Sequence, residues 1–272
     1  MSRRHYVDKK HKQNGSCNVV SIAISLFFIG WVHVDNYTAD KIEKELTEKY
    51  GGTFEVLALG NRYGTMTNDY VMANVKAVDS GVVFTTKMSP KGEILADDYA
   101  SRKVSRQLEE LLNNHLKSEG IIANNLMFVY GSKDPLKTEL GTSLNDYISK
   151  QSPKYFSGYL VIKESLNNTG TAFINAFQKT FTDIQNTELV ANVWIIPEES
   201  YDDIIADFTR LPEVDNSWFD NKNTRNHFKF IMNKDGINLD ENELNKLLQG
   251  ESNLAYSVEE LKVDTNHDYG KL

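Results

Sequence analysis

The sequence predicts an α+β protein: an N-terminal transmembrane helix, then an antiparallel sheet with flanking helices, then a second, mixed α/β module. Three observations predict it. One uncharged apolar run lies between a basic and an acidic flank; a helix, three strands and a helix follow it; and beyond residue 118 strands and helices alternate.

The first 16 residues carry Arg3, Arg4, Lys9, Lys10 and Lys12 against Asp8 alone. Cys17 to Val34 then reads CNVVSIAISLFFIGWVHV, at the short end of what spans a bilayer, and Asp35 and Asp40 follow. Basic charge before the run and acidic charge after it place residues 1–16 in the cytoplasm as a basic tail. Residues 17–34 are then a single-pass signal-anchor in the cell membrane, with the body outside. Trp31 and Tyr37 suit the interface on either side of that boundary. A cleaved signal peptide fits less well, because GWVHVDNY ends the run in bulky residues, and a lipid-modified cysteine would follow the run whereas Cys17 opens it. The alternative is a buried core element, since Asn18, Ser21, Ser25, Gly30 and His33 dilute the run.

In the first module, 38–118, Ile42, Leu46 and Tyr50 share one face of a helix that stops at Gly51-Gly52. Strands are predicted over 54–59, 70–78 and 82–88, the last two a hairpin through Asp79-Ser80-Gly81. Asn61-Arg62-Tyr63-Gly64 reads as a turn, and a helix over about 97–116 carries Asp97 and Asp98 in its first turn, where the helix dipole favours them. The second module, 119–250, is predicted to hold strands near 126–130, 159–163, 189–196 and 227–232. Its helices are predicted near 143–151, 170–184, 200–210 and 240–249, with Asp240 and Glu243 as a capping box. Phe84, Met88 and Gly92 recur at the spacing of Phe228, Met232 and Gly236, a shared strand-turn-helix chemistry rather than a long duplication. Residues 251–272 read as a polar tail.

Chemistry is hard to find in this chain. The net charge is −8, and more negative still beyond the basic tail, so a phosphate backbone is repelled and nucleic acid is not an expected partner. No P-loop, dinucleotide fingerprint or Gly-x-Ser-x-Gly elbow occurs. One cysteine and six scattered histidines make no metal-ligand pair, so no cofactor, no metal and no catalytic set is predicted. Acidic doublets such as Glu198-Glu199 and Asp202-Asp203 suit solvated helix faces, and Asn233, Asp235 and Gly236 a turn rather than a calcium loop. The most suggestive stretch is EVDNSWFDNKNTRNH before the strand at 227, where Trp218 and Phe219 sit among polar residues. Trp218, Phe219, Arg225 and His227 are the candidate partner-binding residues, against the alternative that the two aromatics fold back over the sheet.

The basic start, the short apolar span and the phrase IEKELTEKYGGTFEVLALGNRYGT, a helix ending in Tyr-Gly and then strands, resemble a group of uncharacterised membrane-anchored proteins of Gram-positive bacteria. The likeness covers roughly the first 120 residues. It implies a membrane location and assigns no activity. The expected role is a non-enzymatic, extracytoplasmic interaction module, held to the membrane by its anchor and binding a protein, peptide or envelope component. The alternatives are an envelope hydrolase using carboxylates and a soluble intracellular α+β protein with a buried N-terminal segment.

Overall fold

A computed structural model describes residues 36–63, 69–134 and 138–250. The predicted anchor at 17–34, the basic tail and the tail at 251–272 lie outside the described residues. The fold is α+β, with a four-stranded antiparallel sheet followed by a five-stranded mixed one.

Helix α1 occupies 36–50, buries Ile42 and Leu46, and ends where Gly51 and Gly52 take positive φ. Sheet A is a meander of β1 (Phe54–Tyr63), β2 (Tyr70–Ala77), β3 (Val83–Met88) and β4 (Ile94–Asp97). Strict alternation along β2 turns Val71, Ala73, Val75 and Ala77 inward, and with Phe54, Phe84 and Met88 they pack against α1. β1 runs four residues past its predicted end: Arg62 pairs with Val71 and Tyr63 with Tyr70, so the predicted Asn61–Gly64 turn is strand as far as Tyr63.

The segment expected to open the long helix instead contains β4. Asp97 closes that strand, its carboxylate accepting from Tyr50 Oη at 2.8 Å and from Lys49 Nζ at 2.8 Å. Asp98 turns back to β3, where its Oδ1 accepts the Thr85 N–H at 2.7 Å. Helix α2 therefore starts at Tyr99 and runs to Ser118 with no acidic residue in its first turn. Two neighbouring acids serve the sheet, not the helix dipole.

Burial pushes the Asp98 carboxyl up to about 6 from 3.8, against the opposing pull of the Thr85 N–H and of Arg102. Because the folded value is the higher one, protonation favours the fold. Its contribution is complete below about pH 4 and is lost as pH rises through about 6, amounting to about 2–3 kcal/mol. Asp98→Asn keeps the acceptor for Thr85 but cannot ionise. It is expected to be about 2 kcal/mol more stable than wild type at pH 7.5 and equal to it near pH 4, a difference that urea titrations at the two pH values would measure.

Sheet B holds β5 (Ala123–Tyr130), β6 (Tyr155–Lys163), β7 (Glu188–Ile196), β8 (Asn226–Asn233) and β9 (Gly236–Ile237) in sequential order. Only β6 and β7 are parallel, joined over the sheet by α4 (Gly170–Asp183). Both central strands are buried on both faces, which is why YFSGYLVIK and ELVANVWII lack a simple apolar–polar alternation. On one face α2, α3 (Leu144–Gln151), α4 and α6 (Glu241–Leu248) enclose the main core, including Leu108, Leu112, Phe156, Phe173, Phe177 and Phe230. On the other, α5 (Glu198–Phe208) and a 3-10 turn (Asn216–Phe219) cover Tyr159, Val161, Trp194 and Ile196. At Gly158 a β-carbon would stand 2.0 Å from the Leu126 carbonyl oxygen of β5, so the two strands meet only because the residue is glycine. The Asp240–Glu243 capping box forms at α6.

The two sheets share α2. Arg102, 5% exposed, donates from Nε to the Val83 carbonyl of β3 at 3.4 Å and from one terminal nitrogen to the Met127 carbonyl of β5 at 2.6 Å. Its other terminal nitrogen binds Glu109 Oε1 at 2.9 Å, and that same oxygen accepts the Met127 N–H at 3.0 Å. One buried ion pair thus satisfies both outward-facing backbone groups of Met127 on edge strand β5 and ties β3 of one sheet and β5 of the other to one helix.

The Phe84 and Phe228 echo has a structural counterpart. β3 and β8 each lead through a glycine of positive φ, Gly92 and Gly236, into a short antiparallel strand and then a helix.

Candidate binding cleft

At the end of sheet B where β6 and β7 begin, three connections converge: the α3–β6 loop, the α4–β7 loop and the β8–β9 turn. Between them lies an open cleft of about 470 Å³. Ser152, Pro153 and Lys154 come from the first loop, Gln185 to Glu188 from the second, and Asn233, Lys234 and Asp235 from the turn, with Ile148 of α3 alongside.

The backbone of this cleft departs from the chain's own habit. At eight described positions of positive φ the residue is glycine; the three that are not glycine are Ser152, Gln185 and Asn186, and all three line the cleft. Each belongs to a helix end. Ser152 N–H closes α3 on the Ile148 carbonyl at 2.9 Å, and Asn186 N–H closes α4 on the Phe181 carbonyl at 2.9 Å. A left-handed helix end accepts glycine most readily, and a β-carbon there costs about 1 kcal/mol or more, least for asparagine.

Gln185 recovers part of that cost within the fold, since its Nε2 reaches Ser149 Oγ of α3 at 3.2 Å. Ser152 and Asn186 do not: neither side chain hydrogen-bonds within the described protein. Ser152→Gly is therefore expected to stabilise the protein by about 1 kcal/mol, Asn186→Gly by about half that, and Gln185→Gly hardly at all, as read from urea midpoints. A stability loss in the first two would show that their side chains serve the fold.

Charges in the cleft are balanced. Lys154 and Lys234 line it together with Glu188 and Asp235, and none of the four takes part in an ion pair among the described residues. Lys154 lies with its stem against Gly131, and Asp235 N–H is held by Asn233 Oδ1 at 2.9 Å, which fixes the β8–β9 turn. The surface is one of hydroxyls, amides and unpaired charges of both signs, with Ile148 and Pro153 buried beneath it.

The four residues singled out in the sequence lie elsewhere, on the opposite face and end of sheet B. Phe219 is 1% exposed and stacks on Trp194, ring centroids 4.2 Å apart and planes within 5°. It offers no surface to a partner, which corrects the expectation for that residue. Trp218 is half-buried, beside Phe208 and under Lys222, whose Nζ stands 4.5 Å from the indole. His227 stacks on Trp194 at 4.6 Å, and burial lowers its pKa. Arg225 is exposed and pairs with Glu164 at 2.8 Å. Trp194 joins Phe219 and His227 in one aromatic stack, while Arg225 is drawn aside.

The cleft residues escaped sequence reasoning because each loop alone reads as an ordinary polar turn. One partial signal was present: α1, α2 and α6 are followed by glycine, at Gly51, Gly120 and Gly250, whereas α3 and α4 at the cleft, and α5 away from it, end without one. Among the described residues no group of three or more His, Cys, Asp or Glu is placed to hold a metal ion, and no helix is long and apolar enough to cross a membrane.

No family model matches the chain, and no curated relative matches it. A crystal structure of a DUF5037 family protein from Ruminococcus gnavus ATCC 29149 is similar in fold, with a TM-score of 0.61 and 17% identity over 78% of this chain and 99% of that chain. At that identity the likeness concerns the fold. The neighbour belongs to a family of unknown function.

Proposed function

We propose that the protein is a non-enzymatic interaction module, anchored in the membrane by residues 17–34, with its body outside and the cleft at the end of sheet B as its binding surface. The observation that carries the binding part is the backbone of the cleft. Ser152 and Asn186 occupy left-handed positions without a side-chain partner among the described residues, so side chains stand at the cleft where the fold itself would gain from glycine. The topology rests on the charge asymmetry around the apolar run and on α1. Residues 36–50 are helical, and Tyr37, three residues past the run, is 71% exposed.

This reading places the protein with the uncharacterised membrane-anchored group of Gram-positive bacteria it resembles. Its partner is then an envelope component, and its acidic body disfavours nucleic acid. Protease treatment of intact cells carrying a C-terminal tag tests the location, with a cytoplasmic protein followed in the same samples. Loss of the tag with the control spared supports the topology. Protection of the tag in cells whose known surface proteins are cleaved overturns it and favours an intracellular protein with a buried N-terminal segment.

A second reading has one observation in its favour. Glu188 and Asp235 line the same cleft, and a pair of carboxylates is what glycoside hydrolysis requires. One member of such a pair must sit in an apolar, buried place, whereas Asp235 is exposed and Glu188 only half-buried in a mostly polar wall, so binding fits this cleft better than hydrolysis.

A further inference from the structure

We infer that the cleft takes a neutral, hydroxyl-rich ligand, a short oligosaccharide; this rests on the reading of the cleft as the binding surface. The argument is one of matching. A sugar hydroxyl both donates and accepts, so a site for several of them needs donors and acceptors interleaved, not one sign of charge. Lys154, Lys234 and the Asn186 amide supply donors, Glu188 and Asp235 supply acceptors, and the hydroxyls of Ser152 and Thr187 supply both. All seven side chains are without hydrogen-bond or ion-pair partners in the described protein, so a ligand would displace water and no internal bond would have to break. Ile148 and Pro153 are buried beneath the cleft, so the recognition rests on its polar groups.

Competing chemistries fit less well. An anion would meet two carboxylates along with the two lysines, on a protein of net charge −8. An extended peptide would need a row of free backbone groups along a strand edge, and this cleft lies across strand ends. A mainly apolar small molecule would find polar groups around most of the wall.

The test uses the full chain in a detergent without a sugar headgroup. Maltotriose, cellotriose and the trimer of N-acetylglucosamine are examined by saturation-transfer difference NMR, with inorganic phosphate followed by calorimetry as the anionic control. The expected result is saturation transfer to at least one trisaccharide and no heat with phosphate. For that sugar, Ser152→Gly/Asn186→Gly should raise the dissociation constant about tenfold or more while the protein remains folded and at least as stable. Phosphate binding with no sugar binding overturns the ligand class and leaves the cleft as an anion site. Sugar binding that is unchanged in the double glycine variant overturns the cleft as the site. Silence with all four probes overturns the oligosaccharide proposal, while the membrane topology stands or falls on the protease experiment alone. Shortened sugars in the recovered sample, absent with Glu188→Gln, overturn the non-enzymatic reading while retaining the ligand.

Discussion

Arg102→Met is expected to destabilise the protein by about 3 kcal/mol or more. The substitution keeps the length of the stem and removes three donated hydrogen bonds: to Val83 of sheet A, to Met127 of sheet B and to Glu109. Glu109 is then left 2% exposed with a charge and one distant cation, Arg106, at 3.5 Å. Breaking one side of a buried pair costs about 3–5 kcal/mol, because the surviving charge stays desolvated. Arg106 places the expected loss toward the lower end of that range. Replacing both partners, Arg102→Met with Glu109→Leu, removes the stranded charge and should recover part of the loss. It should not reach wild type, because Met127 N–H and two backbone carbonyls remain unpaired. Denaturant titration of the two single variants and the double variant would close the cycle. A double variant as stable as wild type would show that the backbone groups find water.

The second large effect belongs to Phe219→Ala, with an expected loss of about 3–4 kcal/mol. The ring fills the space between Trp194 and Tyr159 under the 3-10 turn, and none of the loop's other aromatics can replace it. Trp218→Ala, on the half-buried side of the same turn, should cost about 1 kcal/mol. Calorimetric midpoints of the pair separate the two roles. Equal losses would mean that Trp218 is as much a part of the core as its neighbour.

That pair also shows where sequence reading works and where it stops. Finding two aromatics in a polar loop was straightforward, but adjacent residues in a 3-10 turn point in different directions. Which one enters the core depends on Trp194, far away in sequence and visible only once β7 is in place. The periodic elements were readable for the same reason that they fold: α1 with its glycine stop, the β2–β3 hairpin and the Asp240–Glu243 cap rest on interactions within a few residues. β4 was not readable, because four residues of strand before a helix carry no period, and its identity comes from pairing with β3 and from Tyr50. The cleft was illegible for a further reason. It is assembled from three turns separated by dozens of residues, and what distinguishes them is a backbone conformation rather than a residue pattern.

The seal over β5 bears on self-association as well as on stability. ANNLMFVY, the whole of that strand, has no charge, no proline and no glycine, the composition from which intermolecular β-stacking starts. In the intact protein the middle of its outer rim is taken, Met127 C=O by Arg102 and Met127 N–H by Glu109 of α2, so a second copy cannot pair along the whole strand. Once α2 lifts away, the same rim becomes a template. Variants that loosen Arg102 or Glu109 should thus be lost to fibrils or precipitate at rates that rise with concentration, beyond what their folding free energies alone would foretell.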